Sequence, residues 1–104
     1  MVYEERDYRI RAGKLAEFVR LYGEFGLPLQ KEHLGTFHAY FTTELGELNH
    51  VVALWSYDSL DDRSRRRAVM MADPRWADYL KRVDGLIDLQ QSRILTPTAF
   101  SPMQ

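Results

Sequence analysis

The sequence predicts an α+β domain: a four-stranded antiparallel sheet with helices on one face. Three observations carry this. Segments with period-2 patterning stand near both ends of the chain and in its middle. Two stretches place apolar residues at helical spacing between them. A short turn joins the two central β-rich segments into a hairpin. The order is strand, helix, strand, strand, helix pair, strand, the βαββαβ pattern of a ferredoxin-like fold.

The first strand spans residues 2–11. Val2, Tyr8 and Ile10 share one side with Glu4 and Arg6, while Tyr3, Glu5, Asp7 and Arg9 take the other. Ala12-Gly13-Lys14 is a turn. Leu15, Phe18, Val19 and Tyr22 then fall at i, i+3, i+4, i+7, one stripe of a helix. Gly23, Gly26 and Pro28 weaken that helix, and Pro28 is expected to kink it or to start a new turn. Gly35 marks its end.

Thr36–Thr43 is rich in β-formers and reads as the second strand. Phe37, Ala39 and Phe41 alternate there with His38, Tyr40 and Thr42. Glu44–Glu47 is the hairpin turn, and Asn49–Tyr57 the third strand. Ser59, with Asp62 three residues on, is a capping-box variant. Asp61–Arg65 and Asp62–Arg66 are expected i,i+4 pairs. Asp73 caps a further helix with Pro74 at its first position, and Trp76, Tyr79, Leu80 and Val83 repeat the apolar spacing. Gly85 ends it, Leu86–Thr96 is the last strand, and Pro97 and Pro102 mark a non-helical tail.

With 104 residues, 45% of them hydrophobic and 28% charged, the chain is one globular domain, residues 1–104. A net charge of −1 gives no global pull toward nucleic acid or an anionic membrane. Cysteine is absent, which removes disulfides, a thiolate nucleophile and Cys-based metal sites. The N-terminal MVYEERDYRIR has no apolar core of a signal peptide, and no apolar run approaches a membrane span. A cytoplasmic protein is expected.

Helices cover one face of such a sheet. On the open face the pattern places Tyr8, Trp55, Tyr57 and either Tyr40 or Phe37 and Phe41. Leaving such aromatics wet forfeits about 1.5–3 kcal/mol each. The open face is therefore expected to pair with a second copy, making a homodimer whose interior holds a small-molecule cavity.

The stretches RIRAGKLAEF, FTTELGELNHVVALWSYDSLDDRSRRR and DPRWADYL, with the tail TPTAFSP, resemble the NIPSNAP family over about residues 3–102. The resemblance implies a dimeric α/β barrel, in which two ferredoxin-like sheets close face to face around paired cavities, with higher rings open. It does not imply a reaction: related barrels include cofactor-independent monooxygenases, haem-degrading enzymes and isomerases. Two positions depart from the family pattern. Glu5 stands where an apolar residue is expected, and Ala53 where a polar or His side chain is common.

The candidate ligand-binding residues are Arg6, Tyr8, His38, Tyr40, Asn49, Trp55 and Tyr57. Trp55 and Tyr57 point the same way along one strand and serve either dimer-core packing or a stacking wall. Arg6 reads either as the partner of Glu4 or as an anion binder. His38, with an ordinary pKa near 6.5, is a structural residue or a general acid/base. Arg6 and His38 are the catalytic candidates. Asn49 caps a turn or reaches the pocket mouth. His33 and His50 are expected in solvent. Arg63, Arg65, Arg66 and Arg67 beside Asp58, Asp61 and Asp62 read as a solvated, salt-bridged face, with Arg67 able to turn inward beside Leu60, Ala68 and Met71. No metal site and no cofactor is expected. Three readings stand: a small-molecule binder, a cofactor-independent enzyme acting on an aromatic or polyketide-like substrate, and a dimerisation module without a ligand.

Overall fold

The computed structural model describes residues 1–104. Strand β1 is Val2–Ile10, followed by helix α1 (Leu15–Leu21), a π turn over Tyr22–Gly26, and α2 (Leu27–His33). Strands β2 (Thr36–Thr42) and β3 (His50–Tyr57) form the hairpin. Helices α3 (Leu60–Ala72) and α4 (Pro74–Arg82) lead to β4 (Ile87–Leu95). The sheet runs β2-β3-β1-β4 with every neighbouring pair antiparallel, the ferredoxin-like arrangement.

The glycine-rich stretch after α1 does not break the helix. One wide turn absorbs it, and Pro28 then sits at the start of α2, where its missing N–H costs nothing. Gly26 is required there for space: a Cβ would come within 2.8 Å of the Tyr79 ring and 2.9 Å of Tyr22. At α3 the Ser59 hydroxyl accepts from the Asp62 N–H at 3.0 Å, and at α4 Asp73 accepts from the Arg75 N–H at 2.9 Å. Asp62 pairs with Arg66 as expected, at 3.0 Å, but also takes Arg65 at 2.6 Å, in place of the expected Asp61–Arg65 pair.

The faces of the sheet differ from the expectation. Val51, Ala53, Trp55 and Tyr57 lie opposite Tyr8, Arg6, Glu4 and Val2 on the helix side, and all four β3 residues are buried. Tyr8, Trp55 and Tyr57 therefore do not line the open face. They pack beneath the helices in two apolar clusters, one around Phe18, Tyr22 and Tyr79, the other around Leu29, Trp55 and Met70. The physical reason is direct: the helices are the main cover within the chain, so most of the large aromatic side chains go under them.

Tyr40 joins them through an irregularity. The β2–β3 register shifts between Phe37 and Ala39, so that Phe37 faces Trp55 and Tyr40 faces Ala53. Strict alternation would have put Phe37 and Tyr40 on opposite sides; the bulge puts both under the helices and leaves Phe41 59% exposed.

The open face carries Tyr3, Glu5, Asp7 and Arg9 beside Ser56, Leu54, Val52 and His50. Glu5 pairs with Arg93 at 2.7 Å, which accounts for a charge at a position where an apolar residue is expected. The C-terminal tail folds back so that the Tyr3 hydroxyl donates to the Gln104 main-chain oxygen at 2.9 Å. No helix is long and apolar enough to cross a membrane.

Candidate functional site

Between the helices and the sheet lies a cavity of about 200 Å³. Strands supply its floor: Arg6 and Tyr8 from β1, Tyr40 from β2, Val51, Ala53 and Trp55 from β3. Phe18, Tyr22 and Gln30 close one side, and Arg67, Met71, Trp76 and Tyr79 the other. Thirteen of the 17 lining residues are hydrophobic, so the polar groups among them fix what the space can hold.

Two of them are arranged around Glu4, which does not itself line the cavity and is fully buried. Its Oε2 accepts from Arg6 Nη1 at 3.1 Å and from Arg63 Nη2 at 2.7 Å. The Glu4–Arg6 pair expected from the sequence is thus present, joined by a third partner from α3. Arg6 also donates through Nη2 to the Tyr8 hydroxyl. Burial alone would raise the Glu4 carboxyl, but the Arg63 hydrogen bond and the charges of Arg6, Arg63 and Arg67 hold it below its ordinary value.

Arg67 lies one turn beyond Arg63, and its Nη1 is buried without a hydrogen-bond partner. Burial, then the neighbouring Arg6 and Arg63 charges, pull its pKa down. The inward stripe of α3 is therefore Arg63, Arg67 and Met70, at i, i+4, i+7. Arg67 thus turns inward, while of the apolar residues beside it Leu60 and Ala68 face solvent and Met71, 59% exposed, lies at the rim of the cavity. A carboxylate buried on β1 needs cations from above, and this outweighs the apolar periodicity of the helix. Only Arg65 and Arg66 of the arginine run keep the expected solvated pairing.

The phenols form a stacked set. Tyr22 and Tyr40 rings lie 4.6 Å apart at 15°, and Tyr79 meets Tyr22 edge-on. The Tyr22 hydroxyl donates to Gln30 Oε1 at 2.5 Å, which fixes an amide at the wall of the cavity. Burial raises the pKa of Tyr22, Tyr40 and Tyr79, so all three stay neutral donors across the physiological range.

Of the seven ligand-binding candidates, Arg6, Tyr8, Tyr40 and Trp55 line this cavity and three do not. Tyr57 lies beside the Glu4 cluster, its hydroxyl buried without a partner. His38 sits at the β2 bulge on the open face, where its Nε2 meets Ser56 Oγ at 2.6 Å and its ring lies 5.6 Å from Tyr3. Asn49 takes a left-handed backbone conformation (φ 67°) in the turn, and its carbonyl accepts from the Ile10 N–H at 2.8 Å, tying the turn to the end of β1. The other two histidines are not free in solvent. His33 bonds Asp73 at 2.9 Å, and His50 bonds Asp7 at 2.6 Å.

Sequence reasoning missed Tyr22, Gln30, Trp76 and Tyr79 as cavity residues. The three aromatics stand on apolar helix stripes, a pattern that signals burial but not a cavity. Gln30 follows Tyr22 by eight residues across the π turn, a spacing that an uninterrupted α-helix would not bring together so closely.

Residues 3–102 match the sequence model of the NIPSNAP family. Protein NipSnap of Drosophila melanogaster is 31% identical over 103 residues, covering 99% of this chain and 37% of that protein. The chain thus spans little more than a third of the length of this relative. A crystal structure of a protein from Agrobacterium tumefaciens is 40% identical and superimposes with a TM-score of 0.96, covering 100% of both chains. A second crystal structure from that organism, of a NIPSNAP family protein, is 44% identical with a TM-score of 0.95, over 99% of this chain and 98% of the other.

Proposed function

We propose that this chain, which belongs to the NIPSNAP family, binds a small organic ligand, aromatic or acyl, in the cavity between its sheet and its helices. The observation that carries the reading is an unfilled space of about 200 Å³ with an aromatic wall, onto which Arg6, Gln30 and Arg67 converge. An interior packed solid with apolar side chains would instead have supported a bare dimerisation module.

The chemistry of the wall supports binding rather than proton transfer. No His, Asp or Glu lines the cavity, and burial holds Tyr22, Tyr40 and Tyr79 neutral. A cofactor-independent enzyme needs a protein base within reach of its substrate, and His38 stands on the opposite face of the sheet. Arg6 and the tyrosines act here as donors and stacking surfaces. The open face, with Phe41, Val52, Leu54, Leu89 and Leu95 upon it, supports pairing with a second copy, which would leave the cavity in each subunit intact.

Thermal-shift screening with single-ring alcohols, amides and short acyl compounds tests the binding reading, because a ligand selective for the folded state raises its melting temperature. Ala53→Leu extends a side chain into the cavity from its floor. The expected result is a set of compounds that stabilise the wild-type chain and lose that effect in Ala53→Leu. Equal stabilisation of both proteins would place binding elsewhere and end the proposal.

A further inference from the structure

The charge balance around Glu4 narrows the class of ligand, an inference that rests on the cavity reading above. Three guanidiniums, those of Arg6, Arg63 and Arg67, surround a single carboxylate. Arginine cannot shed its proton in this setting. The interior therefore carries an excess of positive charge with no counter-ion from the chain. Arg6 and Arg63 are both bonded to Glu4 Oε2. Arg67 is not bonded to it, and its buried Nη1 has no acceptor.

We propose that the ligand is an organic carboxylate, and that its carboxylate group is received by Arg67 and Arg6 while its ring or acyl body lies against Trp55, Tyr40 and Tyr22. Glu4 is the positioning residue: it holds Arg6 and Arg63 in place and leaves Arg67 for the ligand. Arg6 and Arg67 both line the cavity, one from the sheet and one from α3, so an anion between them would touch both. A guanidinium presents paired N–H groups to a carboxylate, which suits it better than a single lone acceptor. A water molecule could satisfy the Arg67 donor but would leave the charge unbalanced. A cationic ligand would meet three like charges. Glu4 Oε1 and the Tyr57 hydroxyl are likewise buried without partners, and neither offsets the excess of positive charge.

Calorimetric titration at neutral pH tests this with benzoate, phenylacetate and cinnamate, each beside its own primary amide, which has the same shape and no charge. In the wild-type chain at least one acid is expected to bind about ten-fold or more tightly than its amide. In Arg67→Gln that advantage is expected to disappear, the acid then binding no more tightly than its amide. Equal affinity of every acid and its amide overturns the carboxylate assignment and leaves the cavity reading standing. An acid preference that survives in a folded Arg67→Gln removes Arg67 from the site and likewise overturns it. Silence from all six compounds overturns both readings for single-ring ligands. The acid–amide comparison needs no variant, and the side-chain Nε–Hε resonance of Arg67, followed in the wild-type chain, is expected to move with the acid and not with the amide. An unmoved resonance during acid binding overturns the assignment whether or not the variant folds.

Discussion

Glu4 shows how one buried charge can organise its neighbourhood. It is fully buried, and both of its hydrogen-bonded partners lie mostly inside the protein. Glu4→Gln keeps the shape, removes the charge and leaves Arg6 and Arg63 without their anion. Breaking such a pair from one side costs about 3–5 kcal/mol, so the urea midpoint of Glu4→Gln is expected to fall steeply. By contrast, Glu5→Gln, which breaks a pair with the well-exposed Arg93, is expected to cost about 0–1 kcal/mol. His50 gives the second residue-scale prediction. The Asp7 hydrogen bond, then the Glu47 carboxylate, raise its pKa. A raised histidine pKa stabilises the fold fully below the unfolded value near 6.5, and that contribution is lost as pH rises through the folded value. Melting temperature is therefore expected to decline from about pH 6.5 upward, and His50→Gln to flatten that part of the profile. The Glu4–Arg6 pair was legible because i,i+2 on a strand places both side chains on one face. Arg63 was not, because nothing local relates it to a carboxylate on another element far back in the chain.

Among the elements, the order and nearly every boundary could be read from caps, turns and periodicity, while the faces could not. Period 2 says that Val51, Ala53, Trp55 and Tyr57 share a side; it does not say which side lies under the helices. Burial decides that, and burial depends on what else the chain can bring over the sheet. The β2 bulge defeats alternation altogether, since one unpaired residue resets the phase and no residue type at Phe37, His38 or Ala39 announces it. The rotation of α3 failed for a different reason: its apolar residues mark one stripe, yet the buried carboxylate selects another. The π turn between α1 and α2 is likewise a packing feature, held by the approach of Gly26 to Tyr22 and Tyr79. Gly26→Ala forces a methyl group against both rings. Overpacking of that kind costs about 1–3 kcal/mol, and because these two phenols line the cavity, ligand-induced thermal shifts are expected to shrink along with stability. A variant as stable as the wild type by urea denaturation would show that the rings give way freely.

For the whole molecule, the question is what covers the open face. Wet aromatics are not the reason to cover it, because Trp55, Tyr57, Tyr8 and Tyr40 are already under the helices. What the face does offer is a band of apolar residues, Phe41, Val52, Leu54, Leu89 and Leu95, crossed by the charge pairs Glu5–Arg93 and Asp7–His50. Phe41, Leu89 and Leu95 are 59%, 40% and 37% exposed, and they stand on β2 and β4, the two edges of the sheet. Apolar surface at both edges with ion pairs between them suits a second sheet laid face to face, because the pairs are satisfied within each chain and need not be broken on association. A homodimer of twice the 12.2 kDa chain mass is therefore expected in sedimentation velocity at low micromolar concentration. Phe41→Glu with Leu89→Glu places a charge at each edge of that contact and is expected to yield monomers. Since the cavity lies on the other side of the sheet, those monomers should still bind whatever compounds stabilise the wild-type chain. Loss of binding on dissociation would mean that the second copy shapes the cavity from across the sheet, and a wild-type chain that sediments as a monomer would leave the apolar edges without a partner.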